Sequence, residues 1–260
     1  MSDDPGKYNK ERWEALAQAN VEWSRPWLEL DAQAARQHLD THGILGDVTG
    51  KRVLALGAGG GQQSAAFALL GAVVTVLDIS ETQLARDQQA LAHYGLQARL
   101  EQGDMRDLSR FEDNSFDLVW NAWSISFVPD VAPVFDEVRR VLRPGGGYLL
   151  NCANPFSGAI DETDWTGEGY LIKRPYANIE WTWEDMDWDI EEEDGTTHRV
   201  PGPREFNHTL STVLNGLIQR GFILKGLWEE ETGDPDAAPG TWEHLKSVAP
   251  HALTMWAVLS

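Results

Sequence analysis

The 260-residue sequence predicts an α/β fold built on an open, mainly parallel sheet. Three observations carry that expectation. Between Arg52 and Asn154, short aliphatic or β-branched runs alternate with stretches of helical periodicity, the pattern of βαβ units. The first run empties into a glycine-rich turn that opens a helix, and the second ends on an acid, Asp78. The composition, 42% hydrophobic and 10% aromatic, supplies enough apolar surface to bury both faces of such a sheet.

Taken in order, Lys10–Trp23 and Asp31–Thr41 read as amphipathic helices that cap the core. Val53–Leu56, Val73–Leu77, Ala98–Leu100, Phe116–Trp120 and Tyr148–Asn151 read as strands one to five. Gln62–Leu70, Glu81–Tyr94 and Val131–Leu142 carry apolar residues at helical spacing between them. Ser80 is placed to cap the second of these helices and Gly95 to end it. The cluster Arg143-Pro144-Gly145-Gly146-Gly147 is a turn that launches strand five. Beyond it, Ile179, Trp181 and Trp183, then Met186, Trp188 and Ile190, alternate with polar neighbours as half-buried strands do, and Asp194-Gly195 has hairpin-turn composition. Phe206–Arg220 reads as a helix stopped by Gly221, followed by strands at Phe222–Trp228 and Leu253–Leu259.

No repeat, low-complexity tract or long linker divides the chain, so one domain is expected over 1–260: a helical cap (1–50), a core (51–154), an insertion after strand five (155–205) and the C-terminal part of the sheet (206–260). The formal net charge of -20 argues against nucleic acid and anionic membrane surfaces, because binding to phosphates is driven by Lys and Arg releasing counterions. Between Asp161 and Asp194, 13 acids face only Lys173 and Arg174, which locates much of that excess in the insertion. The longest apolar stretch, Ala65–Leu77, is too short to span a bilayer and the N-terminus lacks the pattern of a secretion signal. Cys152 is the only cysteine, so no intrachain disulfide or thiolate metal cluster can form, which fits a reducing cytoplasm. No His, Cys and Asp cluster has metal-ligand spacing.

The strongest chemical signal is Val53-Leu54-Ala55-Leu56-Gly57-Ala58-Gly59-Gly60-Gly61-Gln62-Gln63-Ser64. A strand, a Gly-x-Gly-x-Gly turn and a helix let backbone approach a ligand closely and aim N–H groups at it. The dinucleotide fingerprint would require glycine at Gln62, which disfavours a nicotinamide-dependent oxidoreductase. Asp78, at the end of strand two, can accept both hydroxyls of a ribose, and Gly103-Asp104-Met105 places a further carboxylate at the same sheet edge.

Those motifs, with Phe116-Asp117-Leu118-Val119 and Val141-Leu142-Arg143-Pro144-Gly145-Gly146, resemble the class I S-adenosylmethionine-dependent methyltransferases of the small-molecule type, similar to quinone-biosynthesis methyltransferases. The resemblance is close over residues 52–153. It implies a Rossmann-like, doubly wound, seven-stranded sheet with the last strand antiparallel, and S-adenosylmethionine as cofactor. By position, it implies that Gly57, Gly59 and Gly61 line the methionine part, Asp78 binds the ribose, and Asp104 and Met105 hold the adenine, with Ala58, Gln62 and Ile79 also in the cofactor site. Asn121 and Ala122 would face the methionine moiety and the transferring methyl. The family usually has an acid two residues before the first glycine; here that position is Ala55, and Asn121, Gln62 and Gln63 are the candidates to replace it.

In related enzymes an N-terminal segment folds over the cofactor, which makes Tyr8, Asn20, Trp23 and Trp27 lid candidates; Trp123, Tyr170 and His208 complete the expected substrate side. The aromatic, acid-rich insertion favours a neutral, apolar or cationic small molecule. Methyl transfer is an in-line displacement that depends on alignment and exclusion of water, so a catalytic dyad is not required. Where a proton must leave the nucleophile, His198, His208, Asp161 or Tyr170 could receive it. A cofactor-binding module without catalysis is the alternative that Ala55 leaves open.

Overall fold

In the computed structural model, which describes residues 4–181, 187–191, 196–230 and 232–260, the cap begins earlier than its periodicity implies. Asp4 accepts a hydrogen bond from the Gly6 N–H and Pro5 occupies the first helical turn, so helix α1 spans Pro5–Gln18, not Lys10–Trp23. Asn20 then turns the chain with φ 58°, and Glu22–Ser24 forms only a short 3-10 turn. Helix α2 (Ala32–Leu39) starts on the Asp31 cap.

The core alternates as expected: β1 (Arg52–Leu56), α3 (Gln63–Leu69), β2 (Val73–Asp78), α4 (Glu81–His93), β3 (Arg99–Gln102), β4 (Phe116–Ala122), α5 (Ala132–Val141) and β5 (Leu142–Ala153). The Arg143–Gly147 turn lies within β5 as a register shift against β4. The insertion forms three two-stranded sheets from β6 (Ile160–Trp165) and β7 (Tyr170–Ile172), β8 (Ile179–Trp181) and β11 (Glu205–Asn207), and β9 (Asp187–Glu191) and β10 (Thr197–Pro201). Trp183, Met186 and the expected Asp194-Gly195 turn lie outside the described residues.

The helix expected over Phe206–Arg220 is shorter. Residues 205–207 pair with β8 as β11, and Thr209 caps a helix α6 over Leu210–Ile218. Strand β12 (Phe222–Glu230), an unforeseen helix α7 (Trp242–Val248) on a Thr241 cap, and β13 (Ala252–Leu259) complete the chain.

The main sheet has seven strands in the order β12-β13-β5-β4-β1-β2-β3. β3, β2, β1, β4 and β5 run parallel, whereas β13 is antiparallel to both β5 and β12. Alternation along β1 separates two cores: Leu54 and Leu56 join Phe135, Val138 and Leu217 on the α5/α6 face, while Val53 and Ala55 join Phe67, Leu84 and Leu91 on the α3/α4 face. The order of strands reverses between β1 and β4, so their carboxyl ends open the crevice in which such sheets bind ligands. Among the described residues no helix is long and apolar enough to cross a membrane.

Candidate active site

Glycine is required in the β1–α3 turn by contact as well as by torsion. Gly57 (φ 59°), Gly60 (118°) and Gly61 (76°) adopt positive φ. A Cβ on Gly57 would stand 2.6 Å from Ser124 Oγ, and one on Gly59 would stand 2.6 Å from Gln83 Cβ and 2.9 Å from the Asp78 carboxylate. The turn's N–H groups do not point outward as its sequence implies. Gly59 donates to Asp78 Oδ2 at 2.9 Å, and Gly60 and Gly61 donate to the two oxygens of Asp87 on α4 at 3.2 and 3.1 Å. Two buried acids supply the acceptors that these buried donors require.

At the end of β2, Asp78 also receives the Ser80 N–H at 2.9 Å. Burial pushes its carboxyl above its ordinary value, against the pull of those N–H bonds. Beside it the buried Gln83 Oε1 has no partner among the described residues. Past β3, Asp104 holds Arg106 in a two-oxygen pair, with Arg106 Nη2 2.6 Å from Asp104 Oδ2.

These strand ends form the floor and one wall of a cavity of about 510 Å³. Its roof is aromatic. Trp13 on α1 meets Phe127 edge-on at 4.9 Å and Trp188 on β9 at 5.8 Å, and Trp188 meets Trp23 at 5.3 Å. Cap and insertion therefore close over the sheet through one cluster. Asn9, 2% exposed, fastens them: its side-chain N–H groups donate to Phe127 O and Arg204 O, and its Oδ1 receives the Arg204 N–H. Trp123 lines the opposite wall with φ 58°, a conformation that costs a bulky residue energy and that clusters at functional sites. Its ring stacks on His251 at 5.6 Å, and burial lowers the pKa of that imidazole.

Of the residues expected around the cofactor, Gly57, Ala58, Gly59, Gln62, Asp78, Ile79, Asp104, Met105 and Ala122 line this cavity. Gly61 does not, because it packs against α4, where a Cβ would meet Arg86 O at 2.5 Å. Asn121 lies beneath the floor: it donates to Leu56 O and Ser124 Oγ and accepts from Tyr148 OH. Its amide is fully committed and cannot replace an acid at Ala55, which is itself buried beside its register partner Trp120.

The expected substrate side divides. Trp23 and Trp123 line the cavity. Tyr8 faces Arg12, Asn20 accepts from Arg86, and Trp27 packs on His38. Tyr170 bonds His244 under α7, and His208 donates to Val128 O at 2.9 Å while burial lowers its pKa. Asp161 pairs with Arg174, and His198 sits exposed on β10. Trp13, which is not among the lid candidates, lines the cavity as well, and so do Glu205 and His251, which do not stand out in the sequence. Among the described residues no His, Cys, Asp and Glu group could hold a metal ion.

The signature of a methyltransferase domain matches residues 54–150. An uncharacterized methyltransferase of Bacillus subtilis, YbaJ, is 36% identical over 195 residues, which is 72% of this chain and 71% of that protein. A ubiquinone biosynthesis O-methyltransferase of Pseudomonas syringae is 34% identical over 108 residues, 42% of this chain and 47% of the enzyme. The crystal structure of an S-adenosylmethionine-dependent methyltransferase from Mesorhizobium loti superposes with a TM-score of 0.64 at 26% identity, over 89% of this chain and all of that one.

Proposed function

Since this chain belongs to the S-adenosylmethionine-dependent methyltransferases, we propose that it transfers the cofactor's methyl group to a small-molecule acceptor enclosed between the cap and the insertion. The observation that carries the reading is the convergence of the glycine turn, Asp78 and Asp104 on one cavity roofed by aromatic side chains. The residues present fit the cofactor: Gly57 and Gly59 leave a cradle that side chains would fill, and Gln83 Oε1 offers a buried acceptor without a donor. When bound, S-adenosylmethionine supplies a methyl group activated by its sulfonium.

Backbone N–H groups of Gly59, Ile79 and Ser80 hold the Asp78 carboxylate, whose remaining acceptor capacity would take a ribose hydroxyl. Ile79 and Met105 flank the adenine, with Asp104 held in place by Arg106. Gly57, Ala58, Gly59 and Gln62 border the methionine end, and Ala122 lies at the floor where the methyl emerges. Trp13, Phe127 and Trp188 exclude water and confine the acceptor, so alignment supplies most of the rate.

Calorimetry with S-adenosylmethionine and S-adenosylhomocysteine tests the reading: both bind, and Asp78→Ala weakens each by tenfold or more. Labelled methyl should appear in a small product when the protein is given a metabolite extract. Absence of binding at millimolar ligand rejects the proposal.

A further inference from the structure

One acid on the acceptor side of the cavity has nothing to hold it. Glu205 opens β11, opposite Trp181 in register, and lines the cavity wall. No hydrogen bond or ion pair reaches its carboxyl among the described residues. Glu205 is half-buried, and that burial without a compensating donor pushes its carboxyl up to about 7.

The bases nearby are already committed. Arg204 makes a two-oxygen pair with Glu180, at 2.5 and 2.6 Å, and Arg106 is held by Asp104. Elsewhere in the insertion, Arg174 pairs with Asp161 and Lys173 with Asp164. Asp161, Asp164 and Glu180 are thus answered from within the chain, whereas Glu205 is not. Trp13, Phe127 and Trp188 line the same cavity. Aromatic faces attract cations, and a desolvated carboxylate gains most from a charged donor. A neutral or anionic occupant would leave Glu205 either buried and unpaired or protonated.

Resting on the methyl-transfer reading above, we propose that the acceptor is an organic cation, a small amine with an apolar body, whose ammonium pairs with Glu205 while the body packs among Trp13, Phe127 and Trp188. The same carboxylate readies the nucleophile. An N–H bond of the ammonium breaks and an O–H bond forms on Glu205; the electron pair left on nitrogen would form the new N–C bond as the cofactor's C–S bond breaks and its pair returns to sulfur. The other charged or titratable groups on the cavity are Asp78, the Asp104–Arg106 pair and His251. On the packed elements, Glu14 of α1 is turned to Ser80 and Thr82, Glu180 of β8 to Arg204, and His208 to Val128 O.

The test titrates tryptamine, tetramethylammonium and indole-3-propionate into the full chain saturated with S-adenosylhomocysteine. Both cations bind at least tenfold more tightly than the anion. Glu205→Gln loses tenfold or more in cation affinity while S-adenosylhomocysteine binds as before, which also shows that the variant folds. Cation affinity falls as pH is lowered from 8 to 6, because protonated Glu205 no longer pairs. The proposal is overturned if neither cation outbinds the anion, or if Glu205→Gln leaves cation affinity unchanged. Failure to bind S-adenosylhomocysteine sinks the methyl-transfer reading instead, and the same titrations without it still report on Glu205.

Discussion

Ser64 at the start of α3 donates its hydroxyl to Asp87 Oδ1 on α4 at 2.5 Å, so the helix after the glycine turn is tied to the helix after β2 by one buried carboxyl. Asp87 also receives the Gly60 and Gly61 N–H groups and is inaccessible to solvent. It therefore shapes the turn from behind, without lining the cavity.

Burial pushes the Asp87 carboxyl from 3.8 up to about 7, against its bond from Ser64 and with a further push from the charge on Asp78. The folded chain thus holds this proton to a higher pH than the unfolded chain. The stability it contributes is complete below about pH 4 and is lost as pH rises toward 7. Asp87→Asn cannot titrate. In urea denaturation, the stability of the wild type relative to this variant should fall by about 2 kcal/mol between pH 5 and pH 8. A difference that stays constant across that range would remove Asp87 as the titrating group.

On the methyl-transfer reading proposed above, Ala55 leaves the cofactor's ammonium without its usual acid, and existing hydrogen bonds narrow the candidates to replace it. Gln62 donates to Trp23 O and Arg25 O, and Asn121 is bonded within the floor. Gln63 lines the cavity, and its side chain makes no hydrogen bond among the described residues. Gln63→Ala should weaken S-adenosylhomocysteine five- to tenfold, roughly 1 kcal/mol. Affinity for 5′-methylthioadenosine, which lacks the amino-acid end, should not change. Equal losses for both ligands would show that Gln63 acts on the nucleoside or on the fold.

Asn9 joins α1, Phe127 and the start of β11 through three hydrogen bonds. Asn9→Ala removes three buried or part-buried hydrogen bonds, to Phe127 O, Arg204 O and the Arg204 N–H, which costs about 3 kcal/mol in total. For a chain of this size that lowers Tm by several degrees, measurable by calorimetry. Amide exchange at Arg204 should accelerate at the same time. Unchanged protection at Arg204 would mean that the cap and the insertion are held together elsewhere.

The βαβ core was readable because its signals are local. Strand, glycine turn and helix follow one another within a few residues around Gly57, and Asp78 ends β2 at the same sheet edge. Boundaries that depend on capping were less readable. Asp4 and Thr209 each start a helix at a place that apolar periodicity alone misjudges, by extending α1 forward and by cutting α6 back. Helix α7 was missed although Thr241 supplies an N-cap, because the segment is short and weakly periodic. Asp87 escaped notice for a different reason: an acid on a helix reads as solvent-facing until its partners, the glycine turn and Ser64, are in place.

The sequence alone determined the parallel sheet and brought the glycine turn, Asp78 and Asp104 to one edge of it, because right-handed βαβ connections deliver successive strand ends to one edge. Tertiary structure decided the rest of the cavity. Asn9, Trp123, Glu205 and His251 come from segments far apart in the chain: Asn9 and Glu205 share the cavity where the cap packs against the insertion through Trp13, Trp23 and Trp188, and Trp123 and His251 stack because β4 and β13 both flank β5. Such a meeting has no local spacing to read. It also separated Glu205, desolvated and unpaired, from the many acids that water and neighbouring bases satisfy.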